Sequence, residues 1–154
     1  MNQIESLEKK SRRFLLDTNF FIAAFKRGFT KTTQLFLTLL SDYELIVNSV
    51  LLEEYGRWLS KLTERIPSVR EHALILYLTI LSKATIVEPD KEHIEKCNPY
   101  IPEGEDADLY HAATCLKAQA ILITNDSDFN EIKKSKIIVV WNISEAIKKL
   151  LNSS

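Results

Sequence analysis

Short apolar runs that end abruptly in polar residues constrain the fold of this chain more than any other feature of its sequence. The run 14–16 is followed at once by Asp17, and the run 120–123 leads into a polar turn over 124–128. Between such runs lie segments whose apolar residues recur at helical spacing. Strands that alternate with helices predict an α/β fold in which helices cover both faces of a parallel sheet.

The same pattern predicts the individual elements. Strands are expected at 14–16, 43–47, 85–87, 120–123 and 137–140. Helices are expected at 19–25, 33–40, 49–62, 67–82, 105–119 and 144–151. Residues 88–104 contain three prolines and are predicted as a loop around a helical turn at 91–96.

The 154 residues show neither an internal repeat nor a shift in composition. We therefore expect a single domain over 1–154, in which residues 1–11 form a charged N-terminal extension. Hydrophobic residues make up 45% of the chain, which excludes a disordered or fibrous protein. The net charge of -1 gives no bulk attraction to polyanions, so such a partner would need a local basic patch or a metal ion.

The first ten residues lack the apolar segment of a signal peptide, and the longest uncharged run, 72–82, is shorter than a membrane span. The expectation is a cytoplasmic protein without membrane association. The two cysteines, Cys97 and Cys115, are too few for a disulfide framework and are expected to be reduced.

Acidic residues gather where the predicted strands end. In open α/β sheets, ligands bind beyond the carboxyl ends of the strands. The acids near those ends are Asp17, Glu53, Glu54, Glu105, Asp106, Asp108, Asp126 and Asp128. Converging carboxylates repel one another, and Mg2+ and Mn2+ prefer oxygen ligands. The pattern therefore predicts a site for one or two divalent ions.

Four blocks of sequence carry a resemblance to a known family. They are Asp17-Thr18-Asn19, the helix start at 49–55, the segment 108–114 and the turn 124–129. In this order and spacing they resemble the motif blocks of the PIN-domain ribonucleases, which include toxins of toxin-antitoxin pairs. The resemblance extends from residue 14 to about residue 140. It implies a three-layer α/β/α fold with a five-stranded parallel sheet, Mg2+- or Mn2+-dependent cleavage of single-stranded RNA, an antitoxin partner and a homodimer.

The resemblance also assigns roles to individual residues. Asp17 matches the first metal-binding acid, Glu54 or Glu53 the second, Asp108 the third and Asp126 the fourth. Asp128 matches an auxiliary acid. Asn19 and Thr124 match polar positions that orient ligands or waters.

Helix geometry distinguishes Glu54 from Glu53. The apolar stripe of their helix consists of Leu51, Tyr55, Trp58 and Leu62. At about 100° per residue, Glu54 lies roughly 60° to 80° from the centre of this stripe and Glu53 lies near the opposite side. Glu54 is therefore expected to border a buried cleft. The same construction does not separate Asp108 from Asp106, for which the resemblance favours Asp108.

Other residues have structural as well as functional interpretations. His111 follows Asp108 by one helical turn, and a packing or solvated role is favoured over contact with substrate. Trp58 and Trp141 are expected to pack. A basic rim would help RNA approach, and the candidates are Arg12, Arg13, Lys26, Arg27, Lys31, Arg57 and the cluster 133–136.

Two further classes of protein compete with a nuclease. One is a catalytically silent PIN-like module that binds RNA or protein. The other is a phosphotransfer domain, either a phosphatase or a receiver. Against a phosphatase, Asn19 occupies the place of a second catalytic acid. Against a receiver, Glu88-Pro89 follows the strand at 85–87 in place of a phosphoacceptor aspartate.

Overall fold

The structure is a computed structural model that describes residues 13–25 and 30–151. The predicted N-terminal extension 1–11 and the rim candidates Arg12, Lys26 and Arg27 lie outside the described residues.

A five-stranded parallel sheet forms the centre of the molecule, with the strand order β3-β2-β1-β4-β5. The strands are β1 Arg13–Leu16, β2 Glu44–Val47, β3 Thr85–Ile86, β4 Ile121–Ile123 and β5 Val140–Trp141. The first strand lies in the middle, where Phe14 pairs with Leu45 of β2 and with Ile121 of β4. The predicted α/β class and five-stranded parallel sheet are confirmed.

Eight α-helices surround the sheet within the described part of the chain. They are α1 Thr18–Phe25, α2 Lys31–Asp42, α3 Ser49–Arg65, α4 Arg70–Lys83, α5 Lys91–Cys97, α6 Asp106–Ala118, α7 Asn130–Ser135 and α8 Ile143–Leu150. Helix α6 contacts β1, β2 and β4, whereas α2 and α8 pack on each other and contact β2 and β5. Short 3-10 turns occur at Pro67–Val69, Asn98–Tyr100 and Ser127–Phe129.

The core forms because the central strands are apolar on both faces, as strands of a covered parallel sheet must be. Phe14 packs edge-on against Tyr43, with ring centroids 5.1 Å apart. Phe21 of α1 stacks on Tyr55 of α3 at 4.6 Å, and Tyr55 donates a hydrogen bond to the Leu16 carbonyl. These contacts fix α1 and α3 against the end of β1, where Asp17 follows.

Several predicted boundaries were wrong. The fifth strand was expected at 137–140 but comprises Val140–Trp141, and Ile138 and Val139 are buried ahead of it. Helix α7 was not predicted, because this short polar segment buries only Ile132. Helix α4 starts at Arg70, since the residues from Pro67 form a 3-10 turn. Tyr43 caps α2 through a bond from its N–H to the Leu39 carbonyl and does not belong to β2.

The apolar residues of α4 do not all face the core. Leu74, Ile75, Leu78 and Leu81 are 41% to 63% exposed. Ile66 before the helix and Ile86 after it are exposed as well. These six side chains are called the α4 face below. Within the described residues, no helix is both long and apolar enough to cross a membrane.

Candidate active site

Polar groups from separate segments meet beyond the carboxyl ends of β1, β2 and β4. Asp17 directly follows β1, α3 with Glu54 follows β2, and Thr124 directly follows β4. All strands run parallel, so these ends lie at one edge of the sheet. The topology thus brings together residues that are far apart in sequence.

Asp17 occupies the centre of this edge and is only 6% exposed. Its Oδ1 accepts a hydrogen bond from the Thr18 N–H at 2.9 Å, and its Oδ2 accepts one from Thr124 Oγ1 at 2.7 Å. Burial raises the pKa of Asp17, and these hydrogen bonds offset the rise only in part. The carboxylate is therefore fixed in orientation but costly to ionise.

Glu54 approaches Asp17 from α3, with a side chain that is 19% exposed. Thr18 Oγ1 donates to Glu54 Oε2 at 2.6 Å, and His111 Nε2 lies 3.1 Å from Glu54 Oε1. Burial raises the pKa of Glu54, but the bonds from His111 and Thr18 outweigh it and leave the pKa below its ordinary value. Glu53, at 75% exposure, instead lies 3.8 Å from Arg57 on the solvent side. The structure brings Glu54, and not Glu53, beside Asp17.

Asp108 contributes a third carboxylate from the first turn of α6. Its oxygen and those of Asp128 and Glu105 lie within 4.8 Å of one another. Burial, the adjacent Asp128 carboxylate and the charges of Asp17 and Asp126 raise the pKa of Asp108 to about 8. Asp106 is exposed and does not belong to this cluster.

Thr124 connects the Asp17 carboxylate with the turn that carries Asp126. Its hydroxyl donates to Asp17 and accepts hydrogen bonds from the Asp126 N–H at 3.0 Å and from Asn19 Nδ2 at 3.3 Å. Asp126 Oδ1 in turn accepts from the Asp128 N–H at 2.9 Å and caps a 3-10 turn. Thr124 therefore contacts Asp17 and Asp126 directly, and Asn19 contacts Thr124. The acidic set below means Asp17, Glu54, Asp108, Asp126 and Asp128.

The basic rim differs from the expectation. Arg13 begins β1, at the end of the sheet opposite Asp17, where it forms a salt bridge with Glu44 at 2.9 Å. It was wrongly included among the rim candidates, because the first residue of a parallel strand lies at the end of the sheet opposite the carboxyl ends of the strands. Lys133 is better placed, since it lines a cavity of about 290 Å³ together with Thr124 and Asp126. Its ammonium forms a salt bridge with Glu145.

Three residues of this network were not anticipated in their observed roles. Thr18 binds both Asp17 and Glu54, and His111 binds Glu54 although it was expected to pack or be solvated. Asn48, just after β2, binds His111 from the other side. Its position at a strand end was the available signal, but only the fold shows its contact with His111.

The sequence and the fold agree on one family. The sequence model of the PIN domain matches residues 14–135, most of the chain and all of the acidic set. The chain belongs to the PIN-domain family. No curated protein matches it.

Solved structures show the same PIN fold at low sequence identity. VapBC2 from Rickettsia felis, bound to a DNA fragment from its promoter, matches with a TM-score of 0.60 and 19% identity, over 84% of this chain and 98% of that chain. VapBC-1 from nontypeable Haemophilus influenzae matches with a TM-score of 0.59 and 18% identity, over 86% and 98%. FitAB bound to an IR36 DNA fragment matches with a TM-score of 0.61 and 17% identity, over 84% and 94%.

The donor set of this PIN domain suits a hard divalent cation. Apart from a ring nitrogen of His111, the ligand atoms on offer are carboxylate oxygens, which Mg2+ and Mn2+ prefer, and they come from separate elements. The groups that act most strongly on the pKa of Asp108, apart from burial, are all carboxylates. A bound cation would remove this repulsion, so the residues present fit a metal ion.

Proposed function

We propose that this PIN domain is a metal-dependent endoribonuclease that hydrolyses phosphodiester bonds of single-stranded RNA in the cytoplasm. The observation that carries the proposal is the cluster of carboxylates around Asp108, where burial and the neighbouring acids Asp128, Asp17 and Asp126 raise its pKa to about 8. A cluster that is costly to ionise on its own is a cluster suited to a cation.

Asp17, Glu54, Asp108 and Asp126 would hold one or two Mg2+ or Mn2+ ions, and Asp128 would assist. When bound, such ions supply Lewis-acid activation of water and charge stabilisation at the phosphodiester. Thr18 and Thr124 orient the Asp17 carboxylate, and Asn19 orients Thr124. The protein would thus supply carboxylate side chains in fixed orientations, and the reaction would need no covalent intermediate with the protein.

RNA has to approach a strongly acidic edge, so a nearby cation should matter. Lys133 borders the cavity that begins at Thr124 and Asp126, and Asn130 and Asn142 line the same cavity. An ammonium there can contact a backbone phosphate, and the amides can contact bases or sugars. We therefore assign this cavity to RNA that extends beyond the scissile bond.

The decisive experiment compares cleavage of an end-labelled single-stranded RNA by the wild type, Asp108→Asn and Asp106→Asn in Mg2+ or Mn2+. The control residue Asp106 lies in the same helical turn but is exposed. We expect Asp108→Asn to lose at least about 100-fold in rate and Asp106→Asn to retain the wild-type rate.

Equal cleavage by Asp108→Asn would refute the assignment of Asp108. If none of the proteins cuts RNA and the wild type fails to bind Mn2+ in calorimetry, the chain is a catalytically silent binding module.

We further propose that the enzyme is the toxin of a toxin-antitoxin pair and that a protein antitoxin is its partner. The support is that VapBC and FitAB toxins share its fold. Induced expression in a bacterium without the antitoxin should arrest growth, and Asp108→Asn should not. Continued growth with confirmed expression of the wild type would count against a toxin.

We also propose that the protein is a homodimer paired through the α4 face. Its six side chains are large and aliphatic and are 41% to 63% exposed, and exposed apolar surface of this kind marks protein–protein contacts. A specific interface buries roughly 1,200 Å² or more in total, and this face would contribute to it from each copy.

Light scattering coupled to size-exclusion chromatography tests the pairing. Leu78→Glu should convert the dimer to a monomer, whereas Leu37→Glu, at an exposed leucine of α2, should not. A monomeric wild type would refute the pairing and leave this face to the antitoxin.

A further inference from the structure

His111 is a fully buried polar side chain next to the acidic set. Its ring lies between Asn48 and Glu54, with Nδ1 3.0 Å from Asn48 Nδ2 and Nε2 3.1 Å from Glu54 Oε1. A ring nitrogen of His111 is also within 4.8 Å of ligand atoms of Asp17 and Glu54. By distance alone it could be either a metal ligand or a hydrogen-bond donor.

The direction of each hydrogen bond follows from Asn48. Asn48 is the N-cap of α3, and its Oδ1 accepts from the Leu51 N–H at 2.7 Å. This leaves Nδ2, an obligate donor, to face His111 Nδ1 and Thr114 Oγ1. Thr114 agrees with this assignment, because its hydroxyl donates to the Tyr110 carbonyl at 2.8 Å and so accepts from Asn48 at 2.9 Å.

The tautomer of His111 follows from the same reasoning. Because Nδ1 accepts from Asn48, the ring proton of the neutral imidazole resides on Nε2. The Nε2–H group therefore donates to Glu54 Oε1, and Thr18 Oγ1 donates to Oε2. A protonated Nε2 has no lone pair for a metal.

We propose that His111 is a positioning residue that holds the Glu54 carboxylate for metal binding, and that Asn48 sets its tautomer. This role rests on the proposed metal-dependent function and deepens it. With one donor on each oxygen, the Glu54 side chain is fixed in one rotamer, while each oxygen keeps lone pairs for a cation. Such support of a ligand by a second residue commonly contributes 10- to 100-fold in metal affinity.

Two substitutions separate positioning from mere packing. The amide nitrogen of His111→Gln can occupy the place of Nε2 and donate to Glu54. His111→Asn is shorter, so its amide reaches the place of Nδ1 beside Asn48 and leaves Glu54 without that donor. Both variants lose the buried ring, and melting temperatures without metal measure this shared cost.

The measurement is Mn2+ binding by isothermal titration calorimetry on the full chain. We expect His111→Asn to weaken Mn2+ binding by about 10- to 100-fold and His111→Gln to remain within about threefold of the wild type. Wild-type affinity in His111→Asn would overturn the proposal. Equal losses in the two variants would also overturn it, because they would indicate packing.

A second measurement does not depend on metal binding. Nitrogen NMR of the His111 ring in the metal-free protein should show a protonated Nε2 and a bare Nδ1, and Asn48→Ala should disturb this pattern. A protonated Nδ1 would overturn the inferred direction of the network. A wild type with the expected tautomer that fails to bind Mn2+ would instead overturn the proposed function, and with it the positioning role.

Discussion

The two sides of the acidic site have opposite effects on the charged form of their carboxylates. On the Glu54 side, His111 and Thr18 donate hydrogen bonds, and the pKa of Glu54 falls below its ordinary value. On the Asp108 side, burial and the neighbouring carboxylates raise the pKa of Asp108 to about 8. Glu54 is therefore an anion at neutral pH, whereas Asp108 holds a proton at neutral pH when no metal is bound.

On the proposed metal-dependent function, this difference determines which side would be affected most by a bound cation. Protein hydrogen-bond donors already orient Glu54, so a bound metal ion would add little to its orientation. The acids on the Asp108 side interact strongly, so a bound cation would have its largest electrostatic effect there. Neutralising one carboxylate should therefore change the free energy of unfolding of the metal-free protein in opposite directions on the two sides.

The largest expected effect is stabilisation of the folded protein by metal. At 100 times its dissociation constant, Mn2+ should add about 2.7 kcal/mol to the free energy of unfolding, or about 5–10 °C in melting temperature. Asp108→Asn should lose most of this shift at the same Mn2+ concentration, and Asp106→Asn should keep it. Thermal scans with and without Mn2+ measure it, and an equal shift in all three proteins would abolish the distinction between the two sides.

Removal of charge on the Glu54 side should destabilise the metal-free protein. Glu54→Gln loses charge-assisted hydrogen bonds and should lower the free energy of unfolding by about 1–2 kcal/mol at pH 7. The pKa of folded Glu54 lies below the unfolded value of 4.5, so its stabilisation is present above that pH and is lost as pH falls. Urea titrations from pH 3 to pH 8 should show the two proteins converging at the acidic end.

Removal of charge on the Asp108 side should have the opposite sign. The folded pKa of about 8 exceeds the unfolded value of 3.8, so the contribution of Asp108 to stability falls as pH rises between them. Metal-free Asp108→Asn should therefore melt roughly 2–4 °C above the wild type at pH 8, equivalent to about 1 kcal/mol. The difference should disappear near pH 4. A variant that is less stable than the wild type at pH 8 would show that hydrogen-bond donors stabilise the ionised form of Asp108.

The smallest effect concerns proton release on metal binding. Calorimetry at pH 7 in buffers of different ionisation enthalpy should show that Mn2+ displaces about one proton from the wild type, because Asp108 must ionise to bind it. Asp128→Asn removes a carboxylate that raises the pKa of Asp108 and should reduce this number. An unchanged release would indicate that the proton comes from another group, such as Asp17.

The sequence was sufficient to predict the structural features that local periodicity determines. The phase of α3 distinguished Glu54 from Glu53, and the apolar runs located the three central strands to within about one residue. Local patterns failed where distant contacts decide. The apolar run 137–140 places the fifth strand too early, because Ile138 and Val139 are buried ahead of Val140–Trp141, and α7 has almost no apolar periodicity.

The network around His111 illustrates the same limit at the site. Asn48 and His111 are 63 residues apart, so nothing in the local sequence shows that they touch. Conversely, the spacing of Leu74, Leu78 and Leu81 correctly predicted a helix, although these side chains are exposed in the single chain. Periodicity indicates a helix but does not say what covers it.

β1 lies in the middle of the sheet although it is the first strand of the chain. Its last residue, Leu16, pairs with Ile123, and Asp17 depends on Thr124 for a hydrogen bond. During synthesis, a chain that has not yet extended through Asp126 has an unfinished sheet and lacks one of its proposed metal-binding acids. On the proposed nuclease function, a growing polypeptide would therefore not cleave RNA until β4, β5 and Asp126 have been synthesised and the sheet has closed around β1.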